Sequence, residues 1–376
     1  MPDPLEGLNA AQRAAVAHPG PALVVAGGPG TGKTHVLARR IGWLVDEGTP
    51  PDSVLALAPA RSAAAALRCR VEALVEAPYE ELWILGLEEL CTRLLRDEAL
   101  EAGLDPFFVS ATRADRIALL LEHLDELPLS HHEIRGNPAP LVARLVARID
   151  RLKAHRVGSN DLRRRAQGAL AAAQGEPAAR ARAERDLEAA EVYERHDRLL
   201  AARGALDTVD LALRGGRLLA ERPAVLARWG ARFGHVLVED RDTLDPAQEM
   251  LVARLCRAVE GLTLATGDLA VAEKQADEAA AASALDRPDG ERVVLRRSVR
   301  CGERILQAAG AVLPKPTDGA PLAPPRGRTG TAAGEVRFWT CASERAQAQA
   351  TAREVERLIA VEGVPPEQIA VLVPSV

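Results

Sequence analysis

Residues 22–34 read ALVVAGGPGTGKT, and the fold follows from how this stretch divides. Ala22 to Val25 predict a short buried strand, Gly27 to Gly32 a loop, and the apolar-periodic run from Val36 to Val45 a helix beginning at Lys33. That order suits a phosphate-binding loop. Gly27, Gly28, Gly30 and Gly32, with Pro29 and Thr31 among them, let the backbone curl so that its N–H groups point at phosphate oxygens, and the helix adds the positive end of its dipole. In such a loop Lys33 reaches the β/γ-phosphates and the Thr34 hydroxyl takes a place on Mg²⁺. A plain glycine-rich turn explains the composition but not the spacing. Lysine is also rare here, with four lysines against 44 arginines, so one at the position the loop requires is informative.

The chain of 376 residues has room for two or three domains. Its net charge of −5 gives no global positive field, so DNA binding would need a local groove. Arginine runs such as Arg163 to Arg165 read first as solvated helix faces. The five cysteines are scattered without a CxxC pair, which predicts reduced thiols and no zinc site. MPDPLEG at the start has neither a basic nor an apolar leader segment, and no long uncharged apolar run follows. The expectation is a cytoplasmic protein without a membrane span.

Along the chain, LNAAQRAAV (8–16) predicts a short helix, Val54 to Ala58 a second strand, Arg61 to Val75 a helix, and Leu82 to Leu95 a strand and helix. From about Asp97 to Arg203 helix follows helix. His131 and His132 are adjacent and so suit a loop better than a metal site, and the helix around Ala183 to Leu200 reads as core packing. GHVLVEDRDTLDPAQ (234–248) predicts a buried strand with acids at its C-terminal end, where open parallel sheets place ligands. Leu262 to Asp268 predicts another strand. Pro314 to Gly334 reads as a loop. A strand (Val336 to Trp339), a helix (Glu344 to Ala360) and a strand (Ile369 to Val373) are expected beyond it.

LNxxQxxAV followed by AGxPGTGKT resembles the opening of UvrD/Rep/PcrA-type superfamily 1 DNA helicases. Three later segments are similar to further motifs of that family: RGALDTVDL (203–211), VLVEDRDTLDPAQ (236–248) and VVLRRSVRCGERILQAAGAV (293–312). The resemblance implies an α/β fold built on a RecA-like P-loop NTPase parallel sheet over residues 1–95 and 205–312. It further implies an all-helical insertion over 96–204, a linker over 313–334 and the start of a second RecA-like domain over 335–376. ATP and Mg²⁺ are the implied cofactors. Gln12 would read the adenine edge, for which an amide offers one donor and one acceptor. His35 would lie beside the nucleotide, where some relatives have arginine. Glu239 falls on the Mg²⁺-binding aspartate and Asp240 on the water-activating glutamate, a transposed pair. Arg300 would contact the γ-phosphate, and Val299 replaces an adenine-stacking aromatic.

The resemblance thins where the family meets DNA. Ala58 and Pro59 replace a threonine and phenylalanine, and Gly86, Leu87, Glu88 and Glu89 replace Thr, Phe, His and Ser. Val271, Lys274, Ala276 and Asp277 replace the γ-phosphate-sensing glutamine, a tyrosine, a phenylalanine and an arginine. Aromatic platforms hold single strands by about 1–3 kcal/mol per base. The implied function is therefore the ATP-binding part of a 3'-5' DNA helicase or translocase, with reduced hydrolysis, weak single-stranded DNA binding, and a further motor domain or protein partner. The alternative is an ATP-binding pseudo-helicase that acts as a scaffold or regulatory subunit of a DNA repair or recombination complex.

Overall fold

The computed structural model describes residues 3–132, 134, 136–173, 175–267, 285, 290–312 and 334–373. Helix α1 (Ala10–Val16) opens with a reciprocal cap, in which the Asn9 side chain accepts the Gln12 N–H and the Gln12 side chain accepts the Asn9 N–H. The wholly buried strand β1 (Ala22–Gly27) runs through the glycine loop into α2 (Lys33–Asp46). β2 (Val54–Ala58), α3 (Arg61–Glu72), β3 (Trp83–Gly86) and α4 (Leu87–Asp97) continue the alternation. Next come α5 (Ala99–Ala102), β4 (Val109–Ala111), α6 (Arg113–Glu122), α7 (Ala139–Ala154), α8 (Ser159–Ala172) and α9 (Pro177–Ala202). The chain returns through β5 (Ala205–Asp207), α10 (Thr208–Glu221), α11 (Pro223–Arg232), β6 (His235–Val238), α12 (Pro246–Arg257) and β7 (Gly261–Thr266). Last are β8 (Glu291–Leu295), α13 (Glu303–Val312) and α14 (Glu344–Ala360).

Six strands form one parallel sheet in the order β3-β2-β6-β7-β1-β8. The strand at 22–25 and the strand at 236–238 therefore share a sheet, as the sequence implied. Alternate residues of β2 point to opposite faces. Leu55 and Leu57 join a core with α4, α10, α11 and α12, while Val54 and Ala56 join a second core with α2 and α3. Covering both faces is what a parallel sheet requires. Among the described residues no helix is long and apolar enough to cross a membrane.

Two expectations change. The expected all-helical insertion contains one short strand: β4 pairs in parallel with β5, so the chain leaving and re-entering the insertion is stitched at its root. The strands expected at Val336 to Trp339 and Ile369 to Val373 do not form. Phe338 is 84% and Leu372 92% exposed, and without a neighbouring ladder an isolated apolar run has no partner for its backbone groups. The helix between them forms as expected. Val271, Lys274, Ala276, Asp277 and most of the expected loop over 314–334 lie outside the described residues.

A buried charge network, not foreseen from the residues alone, joins the insertion to the core. Lys153 on α7 is 2% exposed, and its Nζ lies 2.8 Å from Asp197, 2.8 Å from Asp207 and 2.7 Å from Asp210. Arg116 on α6 is 1% exposed, reaches Asp150 at 2.6 Å and donates to His196 Nε2 at 2.9 Å, while His196 Nδ1 faces Asp197. Burial pushes the Asp207 carboxyl up, but Lys153 and Arg116 overrule it and hold it below the usual carboxylate range. A group depressed in the folded state stabilises above its unfolded pKa, and that contribution is lost as pH falls through the folded value. Lys153→Met should thus destabilise the protein by about 3–5 kcal/mol near neutrality, because it strands buried carboxylates. The deficit should narrow as pH falls toward about 4. Denaturant unfolding of both proteins at several pH values checks this, and equal stability at neutrality would contradict it.

Candidate nucleotide-phosphate site

Because β1, β7 and β6 are neighbours in one parallel sheet, their C-terminal ends open on the same edge. Val24 is level with Leu264, and Leu264 with Val238, so Glu239 and Asp240 leave the sheet beside the last residues of β1. On the other side of β1, Gly27 is level with Leu295, which delivers Ser298 to Cys301 to the same loop.

The loop is shaped by backbone that only glycine adopts readily. Gly30 has φ +72° and Gly32 φ +91°, both left-handed. A Cβ on Gly30 would stand 2.7 Å from Ser298 Oγ and 3.0 Å from the Arg300 Cβ, so the later segment is packed directly on the loop. The Val299 N–H donates to the Gly30 carbonyl at 2.8 Å. Within the loop, the Thr31 hydroxyl donates to the Gly28 carbonyl at 2.9 Å and Lys33 Nζ to the Gly27 carbonyl at 3.0 Å. Pro29 is exposed at the tip.

Lys33 and Thr34 begin α2 and face the acids that end β6. The Thr34 hydroxyl donates to Glu239 Oε1, and Lys33 Nζ lies 3.9 Å from Asp240. Glu239 is 4% exposed, its N–H is held by the Leu57 carbonyl at 2.8 Å, and its Oε2 is buried without a hydrogen-bond partner. Burial pushes this carboxyl above its ordinary range; the Thr34 hydrogen bond opposes the shift and the neighbouring Asp240 charge adds to it. Asp240 itself has φ +45°, a strained conformation for a residue with a Cβ, at the turn where the chain leaves β6. That turn is tied to the next strand by Asp242, whose Oδ1 accepts from Thr266 Oγ1 at 3.0 Å and the Gly267 N–H at 2.7 Å.

Gln12 lies below the loop. It is 4% exposed, which excludes a surface helix position, and its Nε2 donates to the Thr31 carbonyl at 3.1 Å. The helix carrying it is anchored by the buried Arg40, which donates to the Ala15, Val16 and His18 carbonyls and to Thr263 Oγ1. His35 is exposed in the first turn of α2, and burial, Arg39 and Arg70 together hold its imidazole below the ordinary value. Arg300 is exposed beside the loop. The structure thus gathers Gln12, the residues from Gly27 to His35, Glu239, Asp240 and Arg300 around one loop.

At the same edge, Ala58 and Leu87 are buried, whereas Pro59 and Glu88 are exposed. Glu88 accepts from Ser110 Oγ at 2.8 Å and Glu89 pairs with Arg93 at 3.1 Å. His131 and His132 occupy a turn, as their adjacency suggests, and both rings face Glu188. Among the described residues one cluster has metal-ligand proximity, His196, Asp197 and Asp207, and the Lys153 ammonium already bonds both of its carboxylates.

Comparison with known proteins shows the family. A family model described as UvrD/REP helicase N-terminal domain matches residues 8–269. Over 82% of its length the chain is 32% identical to the ATP-dependent DNA helicase UvrD1 of Mycobacterium tuberculosis, covering 39% of that protein. It is 27% identical to DNA helicase II of Escherichia coli and 25% identical to the ATP-dependent DNA helicase PcrA of Bacillus subtilis, covering 82% of this chain and 40% of each relative. The chain thus spans about two fifths of the length of these relatives. With its glycine loop, its paired acids and this match over most of its length, the chain belongs to the UvrD/REP helicase family, of which it carries the N-terminal domain.

Proposed function

We propose that this chain is the Mg-ATP-binding part of a UvrD-type DNA helicase or translocase whose hydrolysis and coupling to DNA are reduced. The observation that carries the reading is the contact between Thr34 and the buried Glu239 carboxylate, beside Lys33 at the mouth of the glycine loop. Glu239 Oε2 is a buried oxygen with no partner, and Thr34 offers a second oxygen next to it, a donor pair suited to Mg²⁺. When bound, Mg²⁺ neutralises charge on the β- and γ-phosphate oxygens. The chain's own share is positioning: loop N–H groups and the α2 N-terminus cradle phosphates, Lys33 supplies a mobile cation, and Arg300 approaches from across the loop. Asp240 is the candidate base for the attacking water, with Asp242 holding its turn. On this reading residues 1–95 and 205–312 would be the nucleotide-binding unit, 96–204 the insertion and 335–376 the beginning of a second motor unit. Its place of action is the cytoplasm.

Reduced chemistry follows from the transposed acids. Glu239 is one methylene longer and Asp240 one shorter than the family order, and displacements near 1 Å lower rates by about 100-fold. Mg²⁺ keeps several waters and tolerates such a shift better than a general base does. The carboxylates Glu88 and Glu89, where the family meets DNA, favour a second reading, an ATP-binding scaffold of a DNA repair complex that no longer moves on DNA.

Two outcomes are expected. Lys33→Ala should weaken Mg-ATP binding at least about tenfold by calorimetry without unfolding the chain, since the loop amides remain; equal affinities would show the site to be misassigned. Steady-state phosphate release should rise less than about twofold on adding a single-stranded oligonucleotide. Exchanging the acids (Glu239→Asp with Asp240→Glu) should raise the basal rate by up to about 100-fold and leave DNA stimulation absent. Stimulation of about tenfold or more in the wild type would return the chain to the working motors.

A further inference from the structure

Arg40 is 1% exposed, and burial, with no charged neighbour among the described residues to oppose it, pushes the guanidinium down to about 10, so it stays a cation at neutral pH. Oxygen dipoles meet that charge. Nη1 donates to the carbonyls of Ala15 at 3.2 Å, Val16 at 3.0 Å and His18 at 3.0 Å, and Nε donates to Thr263 Oγ1 at 2.8 Å. Thr263 Oγ1 also lies 2.9 Å from His235 Nε2, so a chain of bonds runs from β6 through β7 and α2 to the end of α1. A helix C-terminus carries unpaired carbonyls and the negative end of its dipole, which makes it a seat for a cation. Helix α1 has seven residues, too few to hold its place in water alone, and depends on such packing.

Near the start of the same helix, Gln12 places one N–H on the Thr31 carbonyl at 3.1 Å and one Oε1 lone pair on the Asn9 N–H at 3.2 Å. A primary amide has two N–H donors and two acceptor lone pairs, so one of each remains. A Cβ on Gly32 would stand 2.8 Å from Nε2 and 3.6 Å from Val299 Cγ2, which puts the amide at the corner between the loop and the segment after β8. We infer that Arg40 is a positioning residue for base recognition: it seats α1 against β7 and so holds the remaining donor and acceptor of Gln12 beside the glycine loop. The inference rests on the nucleotide-site reading above, with Gln12 meeting the base as the family resemblance implies. Arg40 itself is too deeply buried to touch a ligand. It also lies about two turns along α2 from Lys33, so the phosphate anchors at the helix start, the loop amides, Lys33 and Thr34, do not hang on it.

The test is calorimetric binding of the Mg²⁺ complexes of ATP and of inorganic triphosphate to the full chain, with weak binding measured by displacement. Arg40→Met should weaken ATP at least about tenfold and triphosphate by less than about twofold, because the base contact goes and the phosphate contacts stay. Gln12→Ala should show the same split, and adding Arg40→Met to it should weaken ATP by less than about twofold more, since both act on one contact. Arg40→Lys keeps a cation in the core and serves if Arg40→Met does not fold, but its shorter stem cannot span Thr263 and the α1 carbonyls together. It should lose ATP affinity at least about threefold, with triphosphate again within about twofold. Equal loss of ATP and triphosphate in the Arg40 variants, unchanged ATP affinity in them or in Gln12→Ala, or additive losses in the double variant overturns the inference. So does a wild type that binds ATP and not triphosphate. If the wild type binds neither, the nucleotide-site reading itself fails, a pattern distinct from all of these.

Discussion

The parallel register of β6, β7 and β1 is the constraint on which the rest depends. Strands that run the same way release their following loops on one edge, so a glycine loop after β1 and two acids after β6 meet although some 200 residues separate them in sequence. The same edge receives Ser298 to Cys301 after β8. A two-strand shift in sheet order would leave the same residues on the molecule and no site.

Within that frame the decisive group is the Glu239 carboxylate. A buried carboxyl with one hydroxyl partner is costly to keep charged, which is why burial pushes its proton affinity up. Such a group is stabilised by a cation, and Lys33 is held away by the Gly27 carbonyl and lies nearer Asp240. On the proposed reading that cation arrives with the polyanion it accompanies. The buried Lys153 network shows the contrasting solution, in which three carboxylates surround a cation supplied by the chain and need no ion from outside.

Much of this was legible in the sequence, for reasons that are local. The strand, loop and helix from Ala22 to Val45 are specified by an apolar run, four glycines and 3.6-residue periodicity, and the acids at 239 and 240 by the apolar strand before them. What escaped reading depends on distant partners. Lys153, Arg116 and His196 look like ordinary helix residues until three helices and β5 converge. Val109 to Ala111 is too short to announce a strand and forms one through Ala205 to Asp207. Conversely, Val336 to Trp339 and Ile369 to Val373 have strand-like composition and no strand beside them, so local pattern overstated them. Gln12 lay between: its position near the loop was legible from motif spacing, while the bonds that occupy its amide were not.

If Glu239 and Thr34 complete a metal-dependent phosphate site, Mg²⁺ and ATP must bind together through that pair. The direct measurement is ATP affinity by calorimetry with Mg²⁺ and with chelator, in the wild type and in Glu239→Ala. Mg²⁺ should tighten ATP binding at least about tenfold in the wild type, and this difference should vanish in the variant. Equal affinity with and without Mg²⁺ in the wild type, or an undiminished Mg²⁺ effect in Glu239→Ala, would contradict it.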